Sequence, residues 1–253
     1  MKNFSIIVPL YNNYKIVQRC LDSLIQYSNG AQIILYDDAS SENNYFQLIN
    51  NHIKGKNFHY FRSDKNLGFT KVCNNASKVA NREFILFLNS DAFLNSLSLI
   101  ELYKGFLKDS NIGVLGPMTS STSSEQQIPI AYSNRFKWSN ERIETYAKEL
   151  QKNNYKYPPV DIKLVGGFAF AVRRNIFERL NRFDEDFVDY GGEKEFCIRA
   201  RKNGYRTCYT KSAYVHHLGK MTFTTVKDIN IGLKQVEGDK LIEKKYGSNW
   251  RGL

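Results

Sequence analysis

The segment Phe84-Ile85-Leu86-Phe87-Leu88-Asn89-Ser90-Asp91-Ala92 constrains the fold more than any other stretch of the chain. Five apolar residues in a row read as a strand buried on both faces, the pattern of a parallel sheet. The run stops at Asn-Ser-Asp. An unpaired buried carboxylate is strongly disfavoured, so packing does not account for Asp91. At the C-terminal end of a parallel strand it sits where open α/β sheets bind ligands. A second strand, Ile33-Ile34-Leu35-Tyr36, ends the same way, in Asp37-Asp38-Ala39-Ser40. Two strands delivering carboxylates to one sheet edge predict a site for a divalent metal and a polar, phosphorylated ligand.

The surrounding sequence alternates between two periods. Ser5–Leu10 reads as a buried strand ending in the polar turn Tyr11-Asn12-Asn13, which presents an aromatic face and an amide to a base or sugar. Val17, Cys20, Leu21, Leu24 and Ile25 then recur at helical spacing. Ser40, Ser41 and Asn43 offer capping side chains to a helix through Phe46, Leu48 and Ile49. His59–Phe61 is a short strand, and Asn66-Leu67-Gly68-Phe69 turns into a helix carrying Val72, Ala76 and Val79. A helix over Leu99–Phe106 and a strand over Ile112–Pro117 follow. The alternation predicts an α/β fold, a mostly parallel sheet with helices on both faces.

The pattern breaks after Pro117. Residues 118–160 are rich in Ser, Thr, Asn and Gln and read as a long, functional or mobile loop. Order returns at Leu164–Val172, a predicted strand whose Gly166 and Gly167 leave room for another group to approach the backbone. Helices are predicted over Arg174–Leu180 and Glu193–Lys202, and late strands at Thr207–Tyr209 and Ala213–Val215, ending in His216-His217. In the charged tail Ile229, Leu233 and Val236 have helical spacing, weakened by Gly232 and Gly238.

Composition narrows the function classes. The chain of 253 residues is large enough for one sizeable domain or two small ones. No stretch approaches the roughly 20 apolar residues of a membrane span, and the N-terminus lacks a signal-peptide pattern. The expectation is a cytoplasmic protein. Four scattered cysteines without a CxxC pair predict buried thiols instead of a disulfide framework or zinc site. The net charge of +11 fits an anionic partner (nucleic acid, an anionic membrane surface or a negatively charged substrate) and equally a Lys-rich solvated surface.

The first strand is not followed by GxGxxG, and the chain contains no GxxxxGK[ST] and no GxSxG. That argues against nicotinamide, P-loop and nucleophile-elbow chemistry. Instead, Ser5–Asn12, Asp37–Ser40, Asn66–Phe69 and Leu88–Asp91 resemble, in order, the blocks of the family-2 inverting glycosyltransferases. Gly166-Gly167-Phe168, Phe183–Phe187, Cys197–Tyr205 and His216-His217 continue the resemblance, which spans residues 4 to about 219. Bacterial enzymes that extend cell-surface polysaccharides, including rhamnosyltransferase-like ones, are the most similar. Single blocks are weakly specific; eight in order are highly specific.

The resemblance implies a GT-A fold, Rossmann-like, with a nucleotide-sugar-binding half over 1–117, an acceptor-binding and catalytic half over 118–219 and a helical tail over 220–253. It implies transfer of a sugar from a nucleotide-diphosphate sugar to a hydroxyl of a glycan or lipid-linked glycan, with Mn²⁺ or Mg²⁺. Asp91 falls on the metal-binding carboxylate of the family's DxD-like motif, and Asn89 replaces the first Asp. Pro9, Tyr11, Asn12, Asp38, Asn66, Gly68 and Asn89 are then the expected donor-binding set, with Gly166 and Gly167 for the acceptor. His216 is favoured over His217 as the histidine near the metal. Asp37 is expected to be structural. The departure from the family lies at Gly191-Gly192-Glu193-Lys194-Glu195. Counted back from Arg199, Glu193 falls on the family's Asp base and Glu195 on a later Asp. We therefore expect Glu193 to be the general base, with Glu195 the alternative.

Other readings fit less well. A nucleotidyltransferase acting on sugar phosphates needs a Gly- and Arg/Lys-rich loop after the first strand, and Pro9–Asn13 is neither. A nucleic-acid binder needs its basic residues clustered with aromatics. Here they are spread along the chain, so no nucleic-acid partner is expected. The basic surface instead predicts peripheral contact with the anionic inner face of the cell membrane.

Overall fold

Strands β1 (Phe4–Leu10), β2 (Gln32–Asp37), β3 (Phe58–Arg62) and β4 (Phe84–Leu88) are parallel and lie in the order β3-β2-β1-β4. The computed structural model describes residues 1–129, 135–219 and 231–253. The sheet continues from β4 through β8 (Ala169–Arg173), β6 (Ile112–Thr119) and β9 (Arg206–His217) to the two-residue β5 (Ala92–Phe93). A second two-residue strand, β7 (Val160–Asp161), pairs with β9. β8 runs antiparallel to β4 and β6, so the sheet is mixed but mostly parallel on the side that carries the two carboxylate-ended strands.

The apolar runs form central strands because both their faces are covered. Phe4, Ile6, Val8 and Leu10 of β1 join Phe84, Leu86 and Leu88 of β4 in one core. Ile7, Ile85 and Phe87 point the other way, into a second core with Phe170, Phe177 and Phe196. This is the two-residue alternation of a strand read out on both sides of the sheet. Each such side chain stabilises the fold by roughly 1.5–3 kcal/mol when fully buried.

Helix α1 (Tyr14–Tyr27) buries Val17, Cys20, Leu21 and Leu24, the stripe its spacing predicts. Helices α2 (Tyr45–Ile53), α3 (Phe69–Ser77) and α4 (Ser98–Leu107) complete the alternation. No side-chain cap starts α2, whose N-cap is Asn44 in the left-handed region; the expected caps from Ser40, Ser41 and Asn43 do not form. All four cysteines are free and buried.

Residues 118–160 do not form one long loop. They contain the 15-residue helix α5 (Asn140–Asn154), capped by the Ser139 side chain, which accepts from the Arg142 N–H. Ile143 and Ala147 are buried, with Tyr146 and Leu150 packed beside them on the core. The predicted strand Leu164–Val172 is also shorter: only Ala169 onward is strand. The two predicted late strands are one strand with an irregularity, where Pro117 pairs Thr210 and Met118 pairs Tyr214. After α6 (Arg174–Arg179) and α7 (Gly192–Lys202), the tail forms α8 (Ile231–Tyr246), continuous through Gly232 and Gly238. Ile229, expected on that helix, lies outside the described residues.

Candidate active site

A cavity of about 920 Å³ opens at the sheet edge where β1, β2 and β4 end. Pro9 and Tyr11 line it from the end of β1, Asp38 from β2, Asn66 from the turn before α3, and Asn89 and Asp91 from β4. Gly166 and Gly167 line it beside β8, and Glu193 lines it from the first turn of α7. The fold therefore brings nine of the thirteen expected site residues to one cavity. Asn12, Gly68, Glu195 and His216 are outside its wall.

Asp91 is nearly fully buried, and its position is fixed by backbone. β5 pairs with the end of β9 so that Ala92 faces His217, and the Asp91 carbonyl accepts from the Leu218 N–H at 3.0 Å. That pairing brings Nε2 of His217 to 3.2 Å from Oδ1 of Asp91. The other ring nitrogen, Nδ1, lies 2.7 Å from the Ser121 carbonyl. A carbonyl only accepts, so Nδ1 carries a proton, and Nε2 faces the carboxylate either as the donor of a protonated ring or with its lone pair. Two electron-pair donors facing each other are satisfied when a proton or a cation sits against both. The donor set, one carboxylate and one imidazole, fits a divalent cation of the Mn²⁺ type. No group of three or more His, Cys, Asp or Glu side chains with metal-binding geometry occurs among the described residues, so substrate and solvent would complete the coordination.

The structure places His217, and not the expected His216, beside Asp91. His216 is completely buried, stacked on Trp138 at 5.3 Å and beside Phe93 at 6.0 Å. Its Nδ1 lies 2.9 Å from the Tyr214 hydroxyl and 3.2 Å from that of Ser120. Successive strand residues point to opposite faces, so only one of the two histidines can reach Asp91.

The residues expected to bind the donor divide into wall and scaffold. Asp38 accepts from the Leu67 and Gly68 N–H groups at 2.7 and 2.9 Å and from the Ser63 hydroxyl at 3.1 Å. It thus ties down the turn that carries Asn66 while lining the cavity. Asn12 caps the 40–42 turn, its Oδ1 accepting from the Ser41 and Glu42 N–H groups, which holds it off the cavity. Gly68 has φ +85°, and a Cβ there would lie 2.4 Å from Val188 Cγ1, so its role is backbone shape. Asp37 is bound by the Arg62 guanidinium, by the Tyr60 hydroxyl at 2.6 Å and by the Ser40 N–H, the structural role expected of it.

The two glutamates of α7 have separate fates. Glu193 keeps an edge on the cavity, and burial raises its carboxyl pKa against the helix N-terminal N–H groups that favour the charge. Gly167 is packed so close that a Cβ there would lie 3.3 Å from Glu193 Cδ. Glu195 is fully buried on the far side. It accepts from Arg199, from Lys245 at 2.6 Å and from the Tyr246 hydroxyl at 2.7 Å. Despite desolvation, these partners hold its pKa below the ordinary value. With no wall position and its oxygens occupied, Glu195 is not placed to serve as the alternative base.

Several wall residues were not expected. Tyr190 sits where burial, followed by the fields of Glu193, Asp91 and Asp189, pushes its hydroxyl pKa up to about 12. Lys234, Gln235 and Asp239 of α8, together with Trp250 and Arg251, close one side. The tail gave no motif for these roles; the only signal was the helical spacing itself.

Comparison with known proteins agrees with this geometry. A family model described as glycosyl transferase family 2 matches residues 5–180. The low-salt glycan biosynthesis hexosyltransferase Agl10 of Haloferax volcanii is 25% identical over 194 residues, covering 75% of this chain and 60% of that protein. The poly(ribitol-phosphate) beta-N-acetylglucosaminyltransferase TarS of Staphylococcus aureus is 23% identical over 258 residues, covering 96% of this chain and 43% of that protein. The chain thus spans less than two thirds of the length of these relatives. Among solved structures, the mannosyltransferase PcManGT of Pyrobaculum calidifontis, in complex with GDP-Man and Mn²⁺, superposes with a TM-score of 0.63 at 17% identity. That match covers 85% of this chain and 56% of the other. The fold is the GT-A fold.

Proposed function

Because the chain belongs to glycosyl transferase family 2, we propose that it is a metal-dependent inverting glycosyltransferase. It moves a sugar from a nucleoside diphosphate sugar to a hydroxyl of a glycan acceptor in surface polysaccharide synthesis. One observation carries this reading: the Asp91–His217 pair and the Glu193 carboxylate line the same cavity.

An inverting transfer is a single displacement. It needs one base and no enzyme nucleophile. Glu193 takes the proton of the acceptor hydroxyl as its oxygen attacks the anomeric carbon, and the bond to the diphosphate oxygen breaks with its electron pair going to the diphosphate. A carboxylate made more basic by burial suits that task. Asp91 and His217 would hold the cation, which when bound offsets the charge developing on the departing diphosphate. The imidazole ligand favours Mn²⁺ over Mg²⁺, which prefers oxygen and water.

Tyr11, Asp38, Asn66 and Asn89 form the donor wall, and Gly166 and Gly167 leave room for the acceptor beside Glu193. Residues 1–117 then serve the donor and 118–219 the acceptor. No described helix is long and apolar enough to cross a membrane. The +11 charge supports peripheral attachment to an anionic membrane, at about 1 kcal/mol per well-placed Lys or Arg.

The test is a panel of UDP- and GDP-sugars screened by thermal shift with and without Mn²⁺. The true donor should raise stability by about 2.7 kcal/mol at a hundred times its Kd, and only with the metal. A panel in which no nucleotide sugar stabilises the protein would sink the reading.

A further inference from the structure

Helix α8 follows the family-matched region, and its seat is unusual. Among its described side chains Ile242 is the one fully buried apolar group, packed with Phe187, Ile198 and Trp250. The rest of the seat is backbone and charge. Gly238 is buried against the turn that precedes α7, where a Cβ would lie 2.7 Å from the Tyr190 carbonyl oxygen. On the other side of the contact, a Cβ on Gly191 would lie 3.5 Å from the Gly238 Cα. Glycine meets glycine there, and the two backbones touch.

Polar ties surround this contact. Lys194 reaches Asp239 at 2.9 Å, and Lys234 pairs with Asp189. Two turns on, Lys245 and Tyr246 close on the buried Glu195. All these partners on the α7 side lie within six residues of Glu193 in the chain. The turn they clamp is itself special: Gly191, at φ +98°, starts α7, and its carbonyl accepts from the Glu195 N–H at 2.8 Å. Whatever shifts Tyr190–Gly191 therefore shifts the first turn of α7 and the carboxylate on it.

We propose that α8 is a positioning element of the transfer reaction. Gly238, seated on Tyr190–Gly191, sets where α7 begins and hence where the Glu193 carboxylate meets the acceptor. Lys234, Gln235 and Asp239 on the same helix line the cavity that Glu193 also lines. This rests on the glycosyltransferase reading and adds to it a residue that touches neither substrate nor metal.

The sign of one substitution separates positioning from ordinary helix packing. Alanine is a better helix former than glycine, so Gly→Ala at an exposed helical position stabilises the helix. Gly232→Ala, at an exposed position of α8, is the matched control. Nucleoside diphosphate release from UDP-GlcNAc, UDP-glucose and GDP-mannose is measured with Mn²⁺ and water as acceptor. For the donor the wild type uses, Gly238→Ala should lower kcat about ten- to a hundred-fold relative to Gly232→Ala. The affinity for UDP or GDP with Mn²⁺ should stay within about two-fold, because the diphosphate end is untouched. Amide exchange over residues 190–195 should quicken in Gly238→Ala alone. Equal kcat in the two variants, or unchanged exchange at 190–195, overturns the proposal. Should the wild type turn over none of the three donors, the reading of the donor falls, while the exchange comparison still decides whether Gly238 positions the turn.

Discussion

Nε2 of His217 lies 3.2 Å from Oδ1 of Asp91, with Nδ1 of the same ring tied to the Ser121 carbonyl. The hydrogen bond on one side of the ring decides what the other side can do. It leaves Nε2 aimed at the carboxylate, where a proton or a cation held between them joins the pair.

The two adjacent histidines should therefore part company on mutation. His217→Ala should weaken Mn²⁺-dependent UDP or GDP binding by about ten- to a hundred-fold with little change in melting behaviour. His216→Ala should leave metal binding near normal and destabilise the fold by roughly 2–3 kcal/mol, because it empties a stacked, hydrogen-bonded core position. Calorimetry and denaturant titration of both variants read the two quantities. The reverse pattern would restore His216 as the ligand.

Glu193→Gln should cut turnover by about 10²–10⁴-fold while donor binding persists, since a base acts on the acceptor hydroxyl. Glu195→Gln should instead act through stability. It removes the charge that satisfies Arg199 and Lys245, at a cost of roughly 2–4 kcal/mol, below the full cost of a broken buried pair because Lys245 is partly solvated. A Glu193→Gln enzyme with normal turnover would remove it from the base role.

The same two residues should respond oppositely to pH. Glu193 has a raised pKa in the fold, so its contribution to stability is present at acid pH and lost as pH rises through the raised value. Glu195 has a lowered one, so its contribution is present above the ordinary carboxylate range and lost as pH falls through the depressed value. At neutral pH, Glu193→Gln should melt at or above the wild-type temperature and Glu195→Gln below it. Turnover should show an acid limb above the ordinary glutamate value of about 4.3. A limb at or below that value would mean that Glu193 does not titrate as the base.

Helix α5 should resist hydrogen exchange along its Ile143–Ala147 face even without ligand. Ser139→Ala should destabilise the protein by about 1 kcal/mol through loss of the cap. Fast exchange along the whole helix would return this region to the mobile loop first expected from its composition.

The sheet was legible because β1 and β4 are continuous apolar runs, and a run that stops at a carboxylate names both the strand and the site edge. Helix α5 was legible in principle: Ile143, Ala147 and Leu150 follow i, i+4, i+7 spacing, but the Ser-rich flank hid them. The choice between His216 and His217 was not, because a one-residue difference in strand parity depends on which face meets β5. Gly238 read as a flaw in a helix. Its meaning is a contact with a turn 47 residues earlier, and no local pattern carries such a contact.

Titration of UDP and GDP into the protein with and without Mn²⁺, repeated on Asp91→Asn, tests the central claim most directly. The account predicts that one of the two diphosphates binds tightly only with the metal, and that Asp91→Asn abolishes this binding while leaving the fold intact. Undiminished Mn²⁺-dependent affinity in Asp91→Asn, or affinity indifferent to the metal in the wild type, would contradict it.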